Sequence, residues 1–153
     1  MILHLRRSTL DDVDRHAVES YPNECCGAVL AGDGGEIVRR ITNIQDRLHS
    51  EDPAEHPRNA RIAYFMDPKE LYAALREAER QNHALRILYH SHPDHDAYFS
   101  DEDKARAMAW DEPAYPGTFY LVVSVVGGVV RDHLAVAWDP ERRDFAGVEI
   151  AAG

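Results

Sequence analysis

Residues 85–108 read LRILYHSHPDHDAYFSDEDKARAM, and this stretch joins a strand-like run to a helix-like run through a polar segment. It contains three histidines and five acidic residues. Leu, Ile and Tyr at its start favour an extended strand, and Ser100 followed by acidic residues is a typical helix start. The stretch therefore predicts a strand, a short loop and a helix, with polar side chains concentrated where they meet.

The two histidines His90 and His92 are the first candidates for metal ligands. Successive side chains of a strand point to opposite faces, so both imidazoles lie on one face, about 6–7 Å apart along the strand. Leu85, Ile87 and Tyr89 are expected on the other face. Two imidazoles so placed can converge on one ion, although a His-x-His pair taken alone also fits a polar surface.

The start of the predicted helix offers a carboxylate for the same ion. Ser100 and Asp103 alone resemble a capping box, which needs no metal. Combined with the two histidines, one carboxylate completes three protein ligands, and water fills the fourth position of a catalytic zinc site. A structural zinc site needs a fourth protein ligand, and His95, Asp94 and Asp96 leave that alternative open.

The spacing of these residues resembles the JAMM (MPN+) metalloprotease signature, H-[ST]-H-x7-S-x2-D. Residues 90–92 (HSH), Ser100 and Asp103 match it at every defined position. Family members usually carry proline just before the serine, where this chain has Phe99.

Two other segments resemble the same family. Residues 24–27 (ECCG), before the apolar run AVLAG, are similar to the E-x-C-G segment that supplies a catalytic glutamate in bacterial members. Residues 62–72, with MDPKEL, resemble the stretch between the two motifs. The chain is therefore identified as a member of the small prokaryotic single-domain branch of JAMM/MPN+ (JAB domain) zinc metalloproteases.

The resemblance implies a role for each site residue. His90, His92 and Asp103 are expected to ligate Zn²⁺. Glu24 is expected to be the general base that activates the zinc-bound water and later protonates the leaving amine. Ser100 is expected to donate a hydrogen bond to the oxyanion. Sequence alone does not single out Glu24 from the other glutamates.

The resemblance also implies a substrate class. Family members cleave peptide or isopeptide bonds after the C-terminal tail of ubiquitin-like proteins, and the small bacterial branch resembles enzymes that process sulfur carriers. Residues 45–61 and the strand after them are the expected contact for such a tail, which can pair with an exposed strand edge. Two alternatives stay open: a broader isopeptidase that removes ubiquitin-like tags from lysine, and a non-catalytic MPN-type scaffold.

Composition narrows the class of protein. A chain of 153 residues with 44% apolar residues predicts one globular domain over 1–153. The net charge of −10 argues against nucleic acid as a partner. No apolar run is long enough to span a membrane, and the N-terminus lacks the pattern of a signal peptide. The only cysteines, Cys25 and Cys26, are adjacent, which agrees with a reducing compartment, and the cytoplasm is the expected location.

Hydrophobic patterning predicts an α/β fold, with a mixed, largely antiparallel sheet flanked by helices. The resemblance implies a JAMM/MPN, cytidine-deaminase-like version of it. Residues 45–61 are read as a polar loop, and the aromatic residues Trp110, Trp138, Tyr115, Phe119 and Tyr120 as core. The predicted helices start at Leu10 after a Thr9 cap, at Pro68 after an Asp67 cap, and after Ser100. The predicted strands are 1–6, 27–32, 36–44, 61–66, 84–90, 118–126, 129–139 and 144–150.

Overall fold

The computed structural model describes all 153 residues, which form nine strands and four helices. The strands are β1 (Ile2–Leu5), β2 (Cys26–Gly32), β3 (Gly35–Ile41), β4 (His83–Pro93), β5 (Met108–Ala109), β6 (Glu112–Pro113), β7 (Phe119–Val126), β8 (Val129–Asp139) and β9 (Asp144–Ala152). The helices are α1 (Arg7–Ser20), α2 (Gln45–Glu51), α3 (Pro68–Arg80) and α4 (Asp101–Arg106). None of the helices has both the length and the apolar character needed to cross a membrane.

Seven strands form one sheet in the order β1-β9-β8-β7-β4-β2-β3, and β5 and β6 form a separate hairpin. The pairs β1–β9 and β4–β7 are parallel, whereas the other four pairs of the large sheet are antiparallel. Gly127 and Gly128 connect β7 to β8 with φ of 59° and 83°, backbone angles that favour glycine. The predicted mixed, largely antiparallel sheet flanked by helices is confirmed.

Two helices cover opposite faces of this sheet. Leu10, Val13 and Ala17 of α1 belong to the largest buried cluster, together with Cys25. Ala74 of α3 packs in another cluster with Cys26. Neighbouring strand residues point to opposite faces of a sheet. Cys25 therefore packs in the core layer on one face, and Cys26 packs in the layer on the other face. Both cysteines are buried.

A glycine lets the buried Tyr89 lie flat against its neighbouring strand. Gly27 pairs with Tyr89 in the β2–β4 ladder, and a Cβ at Gly27 would lie 2.3 Å from the tyrosine ring. The Tyr89 hydroxyl then reaches across to His16 of α1, where its oxygen lies 2.7 Å from Nδ1. Any larger residue at position 27 would displace the ring and break this contact between helix and sheet.

Burial of His16 makes the stability of the protein depend on pH. Burial and then the charge of Arg40 lower the pKa of His16 to about 4. In the unfolded chain the imidazole titrates near 6.5, so between pH 6.5 and 4 the unfolded state binds more protons. We therefore expect stability to fall as the pH drops through this window. The full shift corresponds to about 3 kcal/mol, and we expect about 1–2 kcal/mol because the ring keeps some solvent contact.

Urea unfolding of metal-free protein between pH 7 and pH 4.5 measures this effect. His16→Asn keeps a polar atom near the position of Nδ1 and does not titrate, so its stability should depend less on pH. His4→Asn, at an exposed histidine, is the matched control. Equal pH slopes for all three proteins would contradict the expectation.

Most predicted elements are confirmed, and the first helix begins earlier than predicted. It starts at Arg7, three residues before Leu10, and Thr9 is a buried residue inside it. The backbone N–H of Arg7 donates to the carbonyl of Gly153 at 2.8 Å. A distant backbone carbonyl thus satisfies an N–H of the first turn, which the local sequence could not reveal.

The predicted strand over 61–66 is wrong. Only Met66 forms a bridge, to Asn43, and the rest of the segment has no strand partner. The side chain of Asn43 accepts from Phe65 N–H and donates to the Ala63 carbonyl. An amide side chain therefore takes the place of a neighbouring strand. The predicted loop over 45–61 is also partly wrong, because its first residues form α2.

Two predicted side-chain positions are also corrected. Trp110 is 99% exposed, at the turn of the β5–β6 hairpin, instead of in the core. Leu85 lies in the same cluster as Leu88, because the extra residue Arg86 shifts the register of β4 against β2. Of the other aromatic residues, Tyr120 is buried, and Trp138, Tyr115 and Phe119 pack partly buried against the core as predicted.

Candidate metal centre and active site

Strand pairing brings Glu24 to the two histidines. His90 and His92 lie in the last part of β4, and Cys26 is paired with His90 in the antiparallel β2–β4 ladder. Glu24 precedes Cys26 by two residues, so the same register places it beside His92 and on the same face. Glu24 and His92, which are far apart in the sequence, thus meet because their strands pair.

Cys25 and Ser91, which are next to Glu24 and to the two histidines, hold the two segments together by hydrogen bonds. Ser91 N–H donates to the Cys25 carbonyl at 3.1 Å, and Cys25 N–H donates to Ser91 Oγ at 2.8 Å. Both residues are buried. The backbone next to Glu24 is therefore fixed against the strand that carries the histidines.

A complete capping box orients Asp103 toward the histidines. Ser100 is the N-cap of α4, and its Oγ accepts from Asp103 N–H at 3.0 Å. Asp103 Oδ2 accepts from Ser100 N–H at 3.0 Å. The predicted cap at Ser100 is confirmed, and it holds the carboxylate at the buried end of the helix.

Three donor atoms lie at the spacing that a tetrahedral metal ion requires. His90 Nε2 is 3.2 Å from His92 Nε2 and 3.2 Å from Asp103 Oδ2, and His92 Nε2 is 3.6 Å from the same oxygen. A tetrahedral ion with ligands at 2.0–2.1 Å, as zinc prefers, has ligand–ligand edges of about 3.3–3.4 Å. Two imidazoles and one carboxylate thus fit an ion of this kind.

Glu24 offers a second carboxylate to the same pair of histidines. Its carboxylate oxygen and one ring nitrogen of each histidine all lie within 4.8 Å of one another. This group could therefore hold a metal ion too. We favour Asp103 as the third ligand because its distances match the tetrahedral edges and its carboxyl group is more strongly held in the ionised form. Glu24 then remains free for proton transfer.

A hydrogen bond orients the ring of His92, and burial changes the pKa of His90. His92 Nδ1 lies 2.9 Å from the backbone carbonyl of Asp96. A carbonyl only accepts, so Nδ1 carries the proton and Nε2 presents its lone pair to the site. His90 is 1% exposed, and burial lowers its pKa. Burial therefore favours the neutral form of His90, and the hydrogen bond to Asp96 orients the ring of His92.

Burial acts differently on the two carboxyl groups. Burial raises the pKa of Asp103, but its contacts with the His90 and His92 rings and the hydrogen bond from Ser100 N–H outweigh burial and hold that pKa well below its usual range. Burial, then the charges of Asp103 and Glu102, raise the pKa of Glu24 to about 9. One carboxylate is thus stabilised as an anion, and the other binds a proton readily.

A cleft of about 260 Å³ opens onto this group. Tyr64 stacks on His90 with a 4.4 Å centroid distance, and Tyr98 packs edge-on against His92 at 4.7 Å. The cleft is lined by Glu24, Arg58, Ile62, Ala63, Tyr64, His92, His95, Tyr98, Ser100, Glu102, Asp103 and Arg106. Ile62 and Tyr98 are half exposed, so an apolar rim surrounds a polar floor.

A charged bridge connects the two sides of the cleft. Glu102 of α4 accepts from Arg58 at 2.7 Å and from Arg106 at 2.8 Å. The Arg106 guanidinium lies over the rings of Tyr64 and Phe65, 5.5 and 5.1 Å from their centroids. The bridge therefore holds the segment that carries Tyr64 against the helix that carries Asp103.

The structure thus brings together all five residues singled out from the sequence: Glu24, His90, His92, Ser100 and Asp103. Asp94, one of the possible fourth ligands, instead accepts from Tyr21 OH and Gly127 N–H. Of the predicted loop over 45–61, only Arg58 lines the cleft. The sequence analysis missed Tyr64 and Arg106. The Glu102–Arg106 spacing of i, i+4 was the only signal available for them.

Comparisons with known proteins agree with this geometry. The family model of prokaryotic homologs of the JAB domain matches residues 6–139. A protein of Haloferax volcanii named desampylase is 33% identical over 134 residues, which cover 82% of each chain. A probable TtuB-protein conjugate cleaving protease of Thermus thermophilus is 30% identical over 113 residues, covering 74% of this chain and 68% of that protein.

A solved structure supports the fold. A protein of Desulfitobacterium hafniense aligns with a TM-score of 0.72 at 23% identity, covering 100% of this chain and 93% of that one. At this identity the likeness concerns the fold alone. The matched family model and the two relatives show that the chain belongs to the family of prokaryotic homologs of the JAB domain.

Proposed function

We propose that the protein is a zinc-dependent hydrolase that cleaves the peptide or isopeptide bond after the C-terminal tail of a ubiquitin-like protein, such as a sulfur carrier. The observation that carries this proposal is the buried group of His90, His92 and Asp103 at tetrahedral spacing beside Glu24. The relatives named desampylase and TtuB-protein conjugate cleaving protease support the substrate class. Residues 1–153 act as one domain in this proposal.

In the proposed site, His90, His92 and Asp103 hold the zinc ion. When bound, zinc polarises the scissile carbonyl and lowers the pKa of water, so that a nucleophile forms near neutral pH. The protein supplies two imidazoles and one carboxylate, and leaves one side of the group open to the cleft. An open coordination position distinguishes catalytic from structural zinc sites.

Glu24 carries the proton between the attacking water and the leaving amine. Without a metal ion, burial and acidic neighbours raise the pKa of Glu24 to about 9; the charge of a cation bound beside it would lower this pKa toward neutrality, where the carboxylate can accept a proton. The carboxyl group lies within 4.8 Å of the histidine nitrogens, on the floor of the cleft. The same proton can then pass to the departing nitrogen as the bond to carbon breaks.

Ser100 donates to the carbonyl oxygen of the scissile bond as negative charge develops there. Its Oγ already accepts from Asp103 N–H, so the hydroxyl hydrogen is free to point into the cleft. A donor of this kind is typically worth 10²–10³ in rate. One serine thus serves as both helix cap and catalytic donor.

The segment 62–66 provides an edge for an extended tail. Ala63 O and the N–H and C=O of Phe65 bond to Asn43 and Ile44. Alternate residues of an extended chain present their backbone groups to opposite sides, and the N–H and C=O of Tyr64 have no partner within the protein. A substrate tail can pair with Tyr64 by strand addition and enter the cleft beside His90.

Cleavage of two matched conjugates tests the proposal. Both carry a ubiquitin-like domain with a Gly-Gly tail, one continued by a peptide extension and the other joined to a lysine side chain. We expect zinc-loaded protein to cut after the second glycine. A chelator should stop the reaction and added zinc should restore it. Preference for the extension favours carrier processing, and preference for lysine favours a broader isopeptidase.

Two outcomes would contradict the proposal. If protein with one zinc per chain leaves both conjugates intact but binds them, the chain is a scaffold. If the pure folded protein binds no zinc, the assignment of the site is wrong.

Both cysteines are free and buried, which supports action in a reducing compartment such as the cytoplasm.

A further inference from the structure

Asn43 follows the end of β3 and uses the whole hydrogen-bonding capacity of its side-chain amide. Nδ2 donates to the carbonyl of Glu24 at 2.9 Å and to the carbonyl of Ala63 at 3.3 Å. Oδ1 accepts from the N–H groups of Gln45 and Phe65, each at 3.0 Å. An amide offers two donor hydrogens and two acceptor lone pairs, so one side chain connects three separate parts of the chain.

The backbone of Glu24 is connected to residues 60–65 directly through its N–H and indirectly, through Asn43, at its C=O. Its N–H donates to the Ala60 carbonyl at 2.7 Å, and its C=O accepts from Asn43. Glu24 lies before the first residue of β2, and neither of these bonds is part of the large sheet. The position of the proposed base is therefore tied to residues 60–65, which also form one wall of the cleft.

We propose that Asn43 is a positioning residue that couples Glu24 to the segment that receives the substrate tail. The inference rests on the proposed function, because it assumes that Glu24 is the base and that Tyr64 pairs with the tail. Asn43 bonds both neighbours of Tyr64 in sequence and the backbone of Glu24. A tail that restrains residues 63–65 restrains Glu24 through two hydrogen bonds of one amide.

This coupling has a consequence for the reaction. A misplacement of about 1 Å at a catalytic group can cost 10²-fold in rate. Without the Nδ2 donors, the Glu24 carbonyl and the Ala63 carbonyl lose their common partner. Both the orientation of the base and the shape of the tail-binding edge then relax, so kcat should fall and KM should rise.

Three variants separate this role from a purely structural one. Asn43→Asp has the same shape, keeps an oxygen acceptor for Gln45 and Phe65, and loses both donors. Asn43→Ala removes the amide without adding charge. Asn59→Asp is the matched control, because Asn59 is exposed, its side chain accepts only from Arg61 N–H at 3.0 Å, and the substitution adds the same charge next to residues 60–65.

The measurements are kcat, KM, zinc content and melting temperature, with the conjugate that the wild-type protein cleaves best. For both Asn43 variants we expect kcat to fall about 10–100-fold. KM should rise a few-fold, and each chain should keep one zinc ion. Asn59→Asp should stay within twofold of wild type. Lower melting temperatures with unchanged kcat, measured well below melting, would show that Asn43 is only structural and would overturn the inference.

Nuclear magnetic resonance of the wild-type protein tests the bonds if the variants do not fold. The Nδ2 hydrogens of Asn43 should exchange with solvent much more slowly than those of Asn59. A hexapeptide amide ending in Gly-Gly should shift the Asn43 side-chain signal in zinc-loaded protein. Fast exchange, or binding of the peptide without this shift, would overturn the inference.

If wild type cleaves and both Asn43 variants keep kcat, this inference fails while the proposed function stands. If wild type cleaves nothing, the proposed function fails, and the exchange rates still decide whether Asn43 holds Glu24.

Discussion

Glu24→Gln is expected to lower turnover by about 10³-fold or more while the protein keeps its zinc. The amide has the size of the carboxyl group but cannot take a proton from water or return it to the leaving amine, and general acid–base catalysis is worth 10²–10⁴ in rate. Zinc should remain because the three other side chains have the spacing of a complete ligand set. Single-turnover cleavage of the tail conjugate, with zinc quantified on the same sample, measures both quantities.

Glu149→Gln is the matched control, since Glu149 is exposed on β9, away from the cleft. It should retain wild-type turnover. A Glu24→Gln variant with full zinc and near-normal turnover would remove Glu24 from the mechanism. A variant that loses zinc together with activity would instead make Glu24 a ligand, in line with its distance from His90 and His92.

Asp103→Ala is expected to weaken zinc binding by at least about 10³-fold and to abolish activity. Outer-shell partners of metal ligands typically contribute 10–100-fold to affinity, and a directly coordinating carboxylate should contribute more. The variant also loses the bond from Ser100 N–H, which removes half of the capping box. We expect that loss to cost about 1 kcal/mol of stability. Competition with a chromophoric chelator measures the affinity, and urea unfolding of metal-free protein measures the stability.

Asp101→Ala provides a close control for this experiment. Asp101 lies in the first turn of the same helix, carries the same charge and is exposed. Its loss should change zinc affinity by less than about threefold, since exposed charges interact weakly through solvent. If Asp103→Ala binds zinc as tightly as Asp101→Ala does, the carboxylate of Glu24 is the third ligand, and the roles of the two acids must be exchanged.

The sequence was most informative where local geometry positions the side chains. The two-residue spacing of His90 and His92 defines a shared strand face, and Ser100 with Asp103 defines a helix cap. These patterns depend on backbone periods that hold in any fold. That is why the strand, the helix start and the convergence of the three side chains could be predicted before the structure was known.

Predictions failed where distant residues replaced the expected local partner. The segment 61–66 has strand-like composition, but the side chain of Asn43 occupies its edge. Trp110 was misplaced for a different reason: its apolar type favours the core, but it lies at a hairpin turn and is exposed. Propensity reports what a segment favours on its own, and tertiary contacts override it at such positions.

The sequence by itself determined the fold class and the shared strand face of the two histidines through strand and helix periods, and the family resemblance indicated Asp103 as the third side chain of the candidate metal centre. Only the tertiary structure decided that Glu24 lies beside them, that Tyr64 stacks on His90, and that Asn43 joins the base to the wall of the cleft. These contacts depend on the pairing of β2 with β4 and on an amide that bonds remote backbone groups. No local sequence pattern specifies contacts between residues that are so far apart in the chain.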